Sequence, residues 1–121
     1  LAVLKARDLD HALEIANGIL LVATNLIADS NPALRGVFHM TASGEASWAD
    51  FAEAIFAASA DKGGATVQVQ RITAADYPTP AKRPANSRLD SSLIAKIHSV
   101  ALPDWRQSLD SVIARLQPAA N

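Results

Sequence analysis

An α/β fold rich in helices and poor in strands is what this sequence predicts, and three observations carry the prediction. Apolar residues recur at helical intervals over residues 10–29; residues 66–72 alternate with the period of two of a strand; and Ser47 with Asp50 marks a helix start ahead of a second apolar run. In the first segment Leu13, Ile15, Ala16, Ile19, Leu20, Val22, Ala23, Leu26 and Ile27 lie three and four residues apart. Glu14, Asn17, Thr24 and Asn25 leave only a narrow polar stripe, which Leu21 interrupts. So wide an apolar surface belongs to a helix covered on more than one side. Asn31-Pro32 stops it, residues 37–41 read as a short strand, and Gly44 breaks that strand.

Ser47 supplies an N-cap with Asp50 in the place of the usual Glu or Gln of a capping box. The helix that follows sets Trp48, Phe51, Ala52, Ile55 and Phe56 on one face and ends near Lys62-Gly63-Gly64. A short helix over residues 91–98 and a final one over 104–117 complete the elements, with Asp104 placed to complement a positive helix N-terminus. Trp48 and Trp105 read as anchors of helix packing rather than as stacking platforms.

Residues 77–90, Y-P-T-P-A-K-R-P-A-N-S-R-L-D, stand apart. Prolines 78, 80 and 84 fix φ and remove backbone donors, which leaves a stiff extended strap carrying Lys82, Arg83 and Arg88 beside Asn86 and Ser87. Such a strap serves either as a solvated connector or as a preorganised presenter of cations to an anionic ligand.

That strap resembles the C-terminal signature of the dTDP-4-dehydrorhamnose reductases. Two further blocks resemble the same family in the same order: Gly36-Val37-Phe38-His39-Met40-Thr41-Ala42-Ser43-Gly44-Glu45 with Ser47-Trp48-Ala49-Asp50-Phe51-Ala52, and Leu102-Pro103-Asp104-Trp105-Arg106. The resemblance runs from about His11 to Leu116 and is specific when the three blocks are taken together. It implies the C-terminal part of a Rossmann-type extended short-chain dehydrogenase, in which residues 1–35 end the nucleotide-fold region and residues 36–121 form the substrate-binding lobe. The implied reaction is hydride transfer from NADPH or NADH to the C4 ketone of dTDP-4-dehydro-6-deoxy-L-mannose, giving dTDP-L-rhamnose. A tyrosine protonates the forming alkoxide and a lysine lowers that tyrosine's pKa.

The groups that would run this chemistry are missing from the sequence. The five glycines, at 18, 36, 44, 63 and 64, form no G-x-G-x-x-G turn, so no cofactor-binding residue is assigned and neither dinucleotide is expected to bind. Tyr77, the single tyrosine, precedes Lys82 by five residues with Pro78 and Pro80 between, whereas a Tyr–Lys pair on one helix face needs i,i+4. No catalytic residue is assigned. Residues 1–10, L-A-V-L-K-A-R-D-L-D, depart from the family's D-Q-x-G-x-P-T pattern, and with the initial leucine they point to a truncated frame or an excised domain.

Composition limits the remaining classes. At 121 residues, 50% of them hydrophobic, and with net charge -1, the chain is at most one domain with no global field for nucleic acid or an acidic membrane surface. It has no cysteine, which excludes thiolate metal sites and fits a cytoplasmic location, and no apolar run is long enough to span a bilayer. His11, His39 and His98 are too scattered for a metal motif, so no metal site is assigned. The resemblance assigns Lys82, Arg83, Asn86, Ser87 and Arg88 to substrate binding. Glu45, in a loop just after a strand, is expected at the substrate side or at a subunit contact. The expected partners are a dTDP-sugar, the N-terminal Rossmann domain and a second copy in a homodimer. A free-standing, non-catalytic nucleotide-sugar or subunit-contact module is the alternative.

Overall fold

The computed structural model describes residues 11–81 and 84–116. Its elements are α1 (Ala12–Ala28), a 3-10 turn (Pro32–Leu34), α2 (Trp48–Ala60), α3 (Ser92–His98) and α4 (Trp105–Leu116). The reading of residues 1–10 lies outside the described residues, as does the predicted end of the last helix at Gln117.

Each helix begins where the sequence offers an acceptor to its unpaired amides. His11 Nδ1 accepts the Leu13 N–H at 3.1 Å and opens α1. Asp50 Oδ2 accepts the Ser47 N–H at 2.8 Å while Ser47 Oγ accepts the Asp50 N–H at 3.1 Å, the capping box in full, with Asp replacing Glu or Gln. Asp90 Oδ1 accepts the Ser92 N–H at 2.8 Å ahead of α3, and Asp104 Oδ1 accepts the Arg106 N–H at 2.9 Å ahead of α4.

The two predicted strands need correction. Residues 37–41 and 66–72 form no strand, and the parallel bridge Ser43–Asp104 is an isolated pair outside any strand. An alternating pattern specifies an extended chain with two faces, whereas a strand also requires a neighbour to take its backbone groups. Within the described residues the fold is therefore mostly helical.

Ala42, Ala46, Trp105, Leu109 and Ile113 form the core, against which Phe51, Ala54, Ile55 and Ala58 of α2 pack. These α2 positions are spaced three and four apart, one stripe across from the predicted face. Trp48 falls outside it and is 53% exposed, so it does not anchor packing as expected. Trp105 does: it is 1% exposed, and its ring meets Phe51 edge-on at 5.5 Å. Ser43 N–H donates to Pro103 O at 3.0 Å and Trp105 N–H to Ser43 O at 3.1 Å, which fixes the loop ahead of α2 against the start of α4.

Around α1 and α3 the contacts are more polar. Buried His98 accepts on its carbonyl from Asn25 Nδ2 at 3.0 Å, and its Nε2 lies 3.0 Å from Leu34 O. A carbonyl only accepts, so Nε2 carries the proton there. Ser108, also buried, donates to Glu14 at 2.6 Å and ties α4 to α1. The outer face of α1 is apolar and uncovered: Leu13, Ile19, Leu20, Leu21 and Ile27 are exposed, Ile27 to 88%.

Gly44 has φ +84°, and a Cβ there would come within 2.5 Å of Asp104 Oδ2 and 3.0 Å of Trp105 Cδ1. Left-handed backbone alone costs a non-glycine residue about 1–2 kcal/mol, and the contact with Asp104 adds to it. Gly44→Ala is expected to lower stability by at least about 1–2 kcal/mol in urea unfolding; a midpoint equal to wild type would show that the loop relaxes freely.

Candidate functional site

The strap and the loop ahead of α2 converge on Arg88. Its Nη1 donates to Glu45 in a short ion pair, and its Nε donates to Asn86 Oδ1 at 3.1 Å. The same Asn86 oxygen accepts the backbone N–H of Arg88, also at 3.1 Å. Glu45, predicted apart from the strap, thus meets its Asn86 and Arg88 at one place, and Ser87 is half-buried between the last two. Lys82 and Arg83 lie outside the described residues. Arg88 and Glu45 side chains are 53% and 62% exposed, so the pair itself contributes little to stability, about 0–1 kcal/mol.

Gly44 and Leu89, the sequence neighbours of Glu45 and Arg88, line a cavity of about 250 Å³ together with Thr41, Ser43, Asp90, Ser91 and Ser92 among others. It is smaller than the roughly 300–1,000 Å³ usual for ligand pockets. Its wall is fixed by Ser91 Oγ, which accepts the Thr41 N–H at 3.3 Å and lies 3.1 Å from Thr41 Oγ1. The Asp90 carboxyl is held below its ordinary value by the backbone N–H of Ser92, then by the Ser92 hydroxyl, with a smaller contribution from His39.

A second polar cluster pins the segment around Arg71 to α2, and no sequence signal pointed to it. Arg71 Nε donates to Glu53 Oε1 at 2.8 Å and its Nη2 to Asp50 Oδ1 at 2.7 Å. Asp50 is thereby held from two sides. Its pKa is pushed down to about 2, mainly by the Ser47 hydroxyl, then by the Ser47 backbone N–H and the Arg71 guanidinium.

The described residues do not fit a nicotinamide dinucleotide. A diphosphate cradle needs free amides at a helix N-terminus approached through glycine. Here His11, Asp50, Asp90 and Asp104 supply the acceptors at the starts of α1, α2, α3 and α4, three of them carboxylates that would repel phosphate. Gly44, the glycine of the cavity wall, faces the Asp104 carboxylate. Tyr77 is exposed on the strap, and no group of three or more His, Asp or Glu placed to hold a metal occurs among the described residues.

Comparison with known proteins now bears on this site. Residues 10–118 match the family described as the RmlD substrate binding domain. The chain belongs to that family. It is 41% identical over 95 residues to the dTDP-4-dehydrorhamnose reductase of Sinorhizobium fredii, covering 78% of this chain and 32% of that enzyme. The Aggregatibacter actinomycetemcomitans reductase is 40% identical over 103 residues, 84% of this chain and 35% of the enzyme. That of Burkholderia thailandensis is 44% identical over 78 residues, 61% of this chain and 26% of the enzyme. The chain therefore spans about a third of the length of the curated relatives it matches. No helix among the described residues is long and apolar enough to cross a membrane.

The lowered Asp50 value has a consequence for pH. Its folded pKa of about 2 lies below the unfolded value of about 4, so its stabilisation is fully present above that unfolded value and is lost as pH falls through the folded one. Asp50→Asn is expected to make the acid unfolding of the helices, followed by circular dichroism, shallower between about pH 4 and 2. An acid limb as steep as wild type would remove Asp50 from that linkage.

Proposed function

We propose that this chain is the substrate-binding part of an NAD(P)H-dependent dTDP-4-dehydrorhamnose reductase, and that Arg88, with Asn86, Ser87, Lys82 and Arg83, holds the anionic portion of the dTDP-sugar. What supports the reading is an exposed guanidinium held by Asn86 and paired with Glu45, within a chain whose family is named for substrate binding. The sequence neighbours of that pair, Leu89 and Gly44, line a cavity that also carries the hydroxyls of Thr41, Ser43, Ser91 and Ser92. Arg88 offers charge-assisted donors to a diphosphate, and the cavity hydroxyls of Thr41, Ser43, Ser91 and Ser92 offer partners to sugar hydroxyls. The nicotinamide supplies a hydride when bound to the remainder of the enzyme. This segment positions the acceptor, and positioning alone is worth several kcal/mol in enzymes generally.

In the same reading, the uncovered apolar face of α1 packs on the nucleotide-fold portion that precedes it, residues 1–35 being the end of that portion. Leu13, Ile19, Leu20, Leu21 and Ile27 are exposed along one helix, more than an isolated surface needs. The substrate-binding lobe then starts at residue 36, and a second copy of the enzyme and a cytoplasmic location complete the expected setting.

Two experiments test this. Joined behind the amino-terminal part of the Sinorhizobium fredii reductase, the chain is expected to restore turnover, and Arg88→Ala to weaken the nucleotide sugar by about 1.5–3 kcal/mol through KM, with NADPH affinity unchanged. Lower thermal stability with KM intact would make the strap a connector instead. The chain by itself is expected to bind a hydrophobic dye and to leave NADPH fluorescence unchanged, and Ile19→Lys with Ile27→Lys to abolish the dye signal. A dye-silent wild type would mean that α1 has no surface awaiting a partner.

A further inference from the structure

The cation on which the proposed site rests already has two partners, and they differ in kind. Asn86 lies two residues away on the same strap and takes both the backbone N–H and the Nε–H of Arg88, so it fixes the chain and the stem of the guanidinium together. Glu45 lies 43 residues away, on the loop ahead of α2, and meets the terminal nitrogen Nη1. That terminal edge is the part of an arginine an incoming anion reaches first.

We propose that Glu45 is the resident counter-ion of Arg88, a carboxylate that the diphosphate of a nucleotide ligand displaces while Asn86 keeps the guanidinium aimed. The inference rests on Arg88 as a ligand contact and adds the residue that sets how readily the contact forms. An exposed carboxylate–guanidinium pair is held weakly, because water competes for both partners. A diphosphate brings more negative charge and more acceptor oxygens, so exchange favours the ligand. Glu45 remains close by after exchange, tethered by Gly44 and Ala46, and its charge opposes the ligand that replaced it. The carboxylate therefore sets a threshold: a diphosphate displaces it and a singly charged anion does not. It also keeps the guanidinium compensated while no ligand is bound.

The full 121-residue chain serves for the test, as wild type, Glu45→Gln, Glu45→Ala, Arg88→Ala and the double variant Glu45→Gln/Arg88→Ala. Each is titrated calorimetrically with dTDP, inorganic pyrophosphate and acetate, with circular dichroism to confirm folding. Removing the charge of Glu45 is expected to tighten dTDP and pyrophosphate about three- to tenfold, an advantage that shrinks at high salt. The advantage is expected to vanish in the double variant. In the wild type, dTDP is expected to move the Arg88 guanidinium ¹⁵N resonances as Glu45→Gln moves them without ligand. Unchanged or weaker dTDP binding in both Glu45 variants overturns the counter-ion role alone, provided Arg88→Ala still weakens dTDP. If Arg88→Ala binds dTDP like the wild type, or the wild type binds neither phosphate, the ligand contact under Proposed function fails and the counter-ion role fails with it.

Discussion

A short backbone exchange fixes the loop that carries Glu45 into the candidate site. Ser43 and the start of α4 trade two hydrogen bonds, Ser43 N–H to Pro103 O and Trp105 N–H to Ser43 O, and the indole of Trp105 fills the space beneath them. Burying a large aromatic side chain accounts for about 1.5–3 kcal/mol or more, so the exchange does not stand alone. With Ser43 fixed, Gly44 must turn through positive φ past the Asp104 carboxylate, and Glu45 leaves the turn toward the strap. Ser47 then arrives in position to cap α2, whose Phe51 closes on the same indole. The Glu45 half of the ion pair with Arg88 thus follows from the packing of Trp105, while Asn86 orients the Arg88 half.

The second constraint is the satisfaction of buried polar groups where α1, α3 and α4 meet. His98 and Ser108 are both buried, and each would destabilise the fold by about 1–3 kcal/mol if left unpaired. Leu34 O, Asn25 and Glu14 answer them. Because these bonds are directional, they set the rotation of α1 as well as its distance. Gly18 allows the close approach, with Met40 Sδ and Val100 packed where a side chain would sit. The rotation turns the polar positions Glu14 and Asn25 inward and leaves Ile19, Leu20 and Ile27 outward. An inverted arrangement of this sort is what a helix shows when its apolar side belongs to another layer.

Local signals were legible in the sequence and distant pairings were not. The helix at residues 10–29 and the Ser47–Asp50 box follow from periodicity and capping chemistry, both set by neighbours within four residues. Asp104 at the start of α4 is of the same kind. The strands expected at 37–41 and 66–72 failed because pairing depends on a partner that alternation does not reveal. Trp48 was misplaced by one stripe, since a helical repeat gives the width of a face but not its centre. Glu45 and Arg88 were each named, yet nothing in a spacing of 43 residues joins them, and Arg71 reaches Glu53 and Asp50 across 18 and 21 residues with no signal at all.

In the proposed function anion recognition falls to a side chain rather than to the backbone, and the caps explain why. A helix N-terminus attracts phosphate through free amides and a partial positive charge, and both are spent once a carboxylate caps it. At α2, α3 and α4 that carboxylate is internal: Asp50, Asp90 and Asp104. The helices are stabilised individually, which suits short elements such as the seven-residue α3. Of these carboxylates Asp90 lines the cavity and Asp104 lies against Gly44 on its wall. A lone cation there would be drawn onto the nearest of them, so a usable Arg88 has to be restrained, and Asn86 restrains it with a neutral acceptor that leaves its charge intact. An aspartate at position 86 would give the same geometry but would neutralise the group it aims. The amide therefore fixes the stem of Arg88 without adding a second negative charge to the one that Glu45 already supplies.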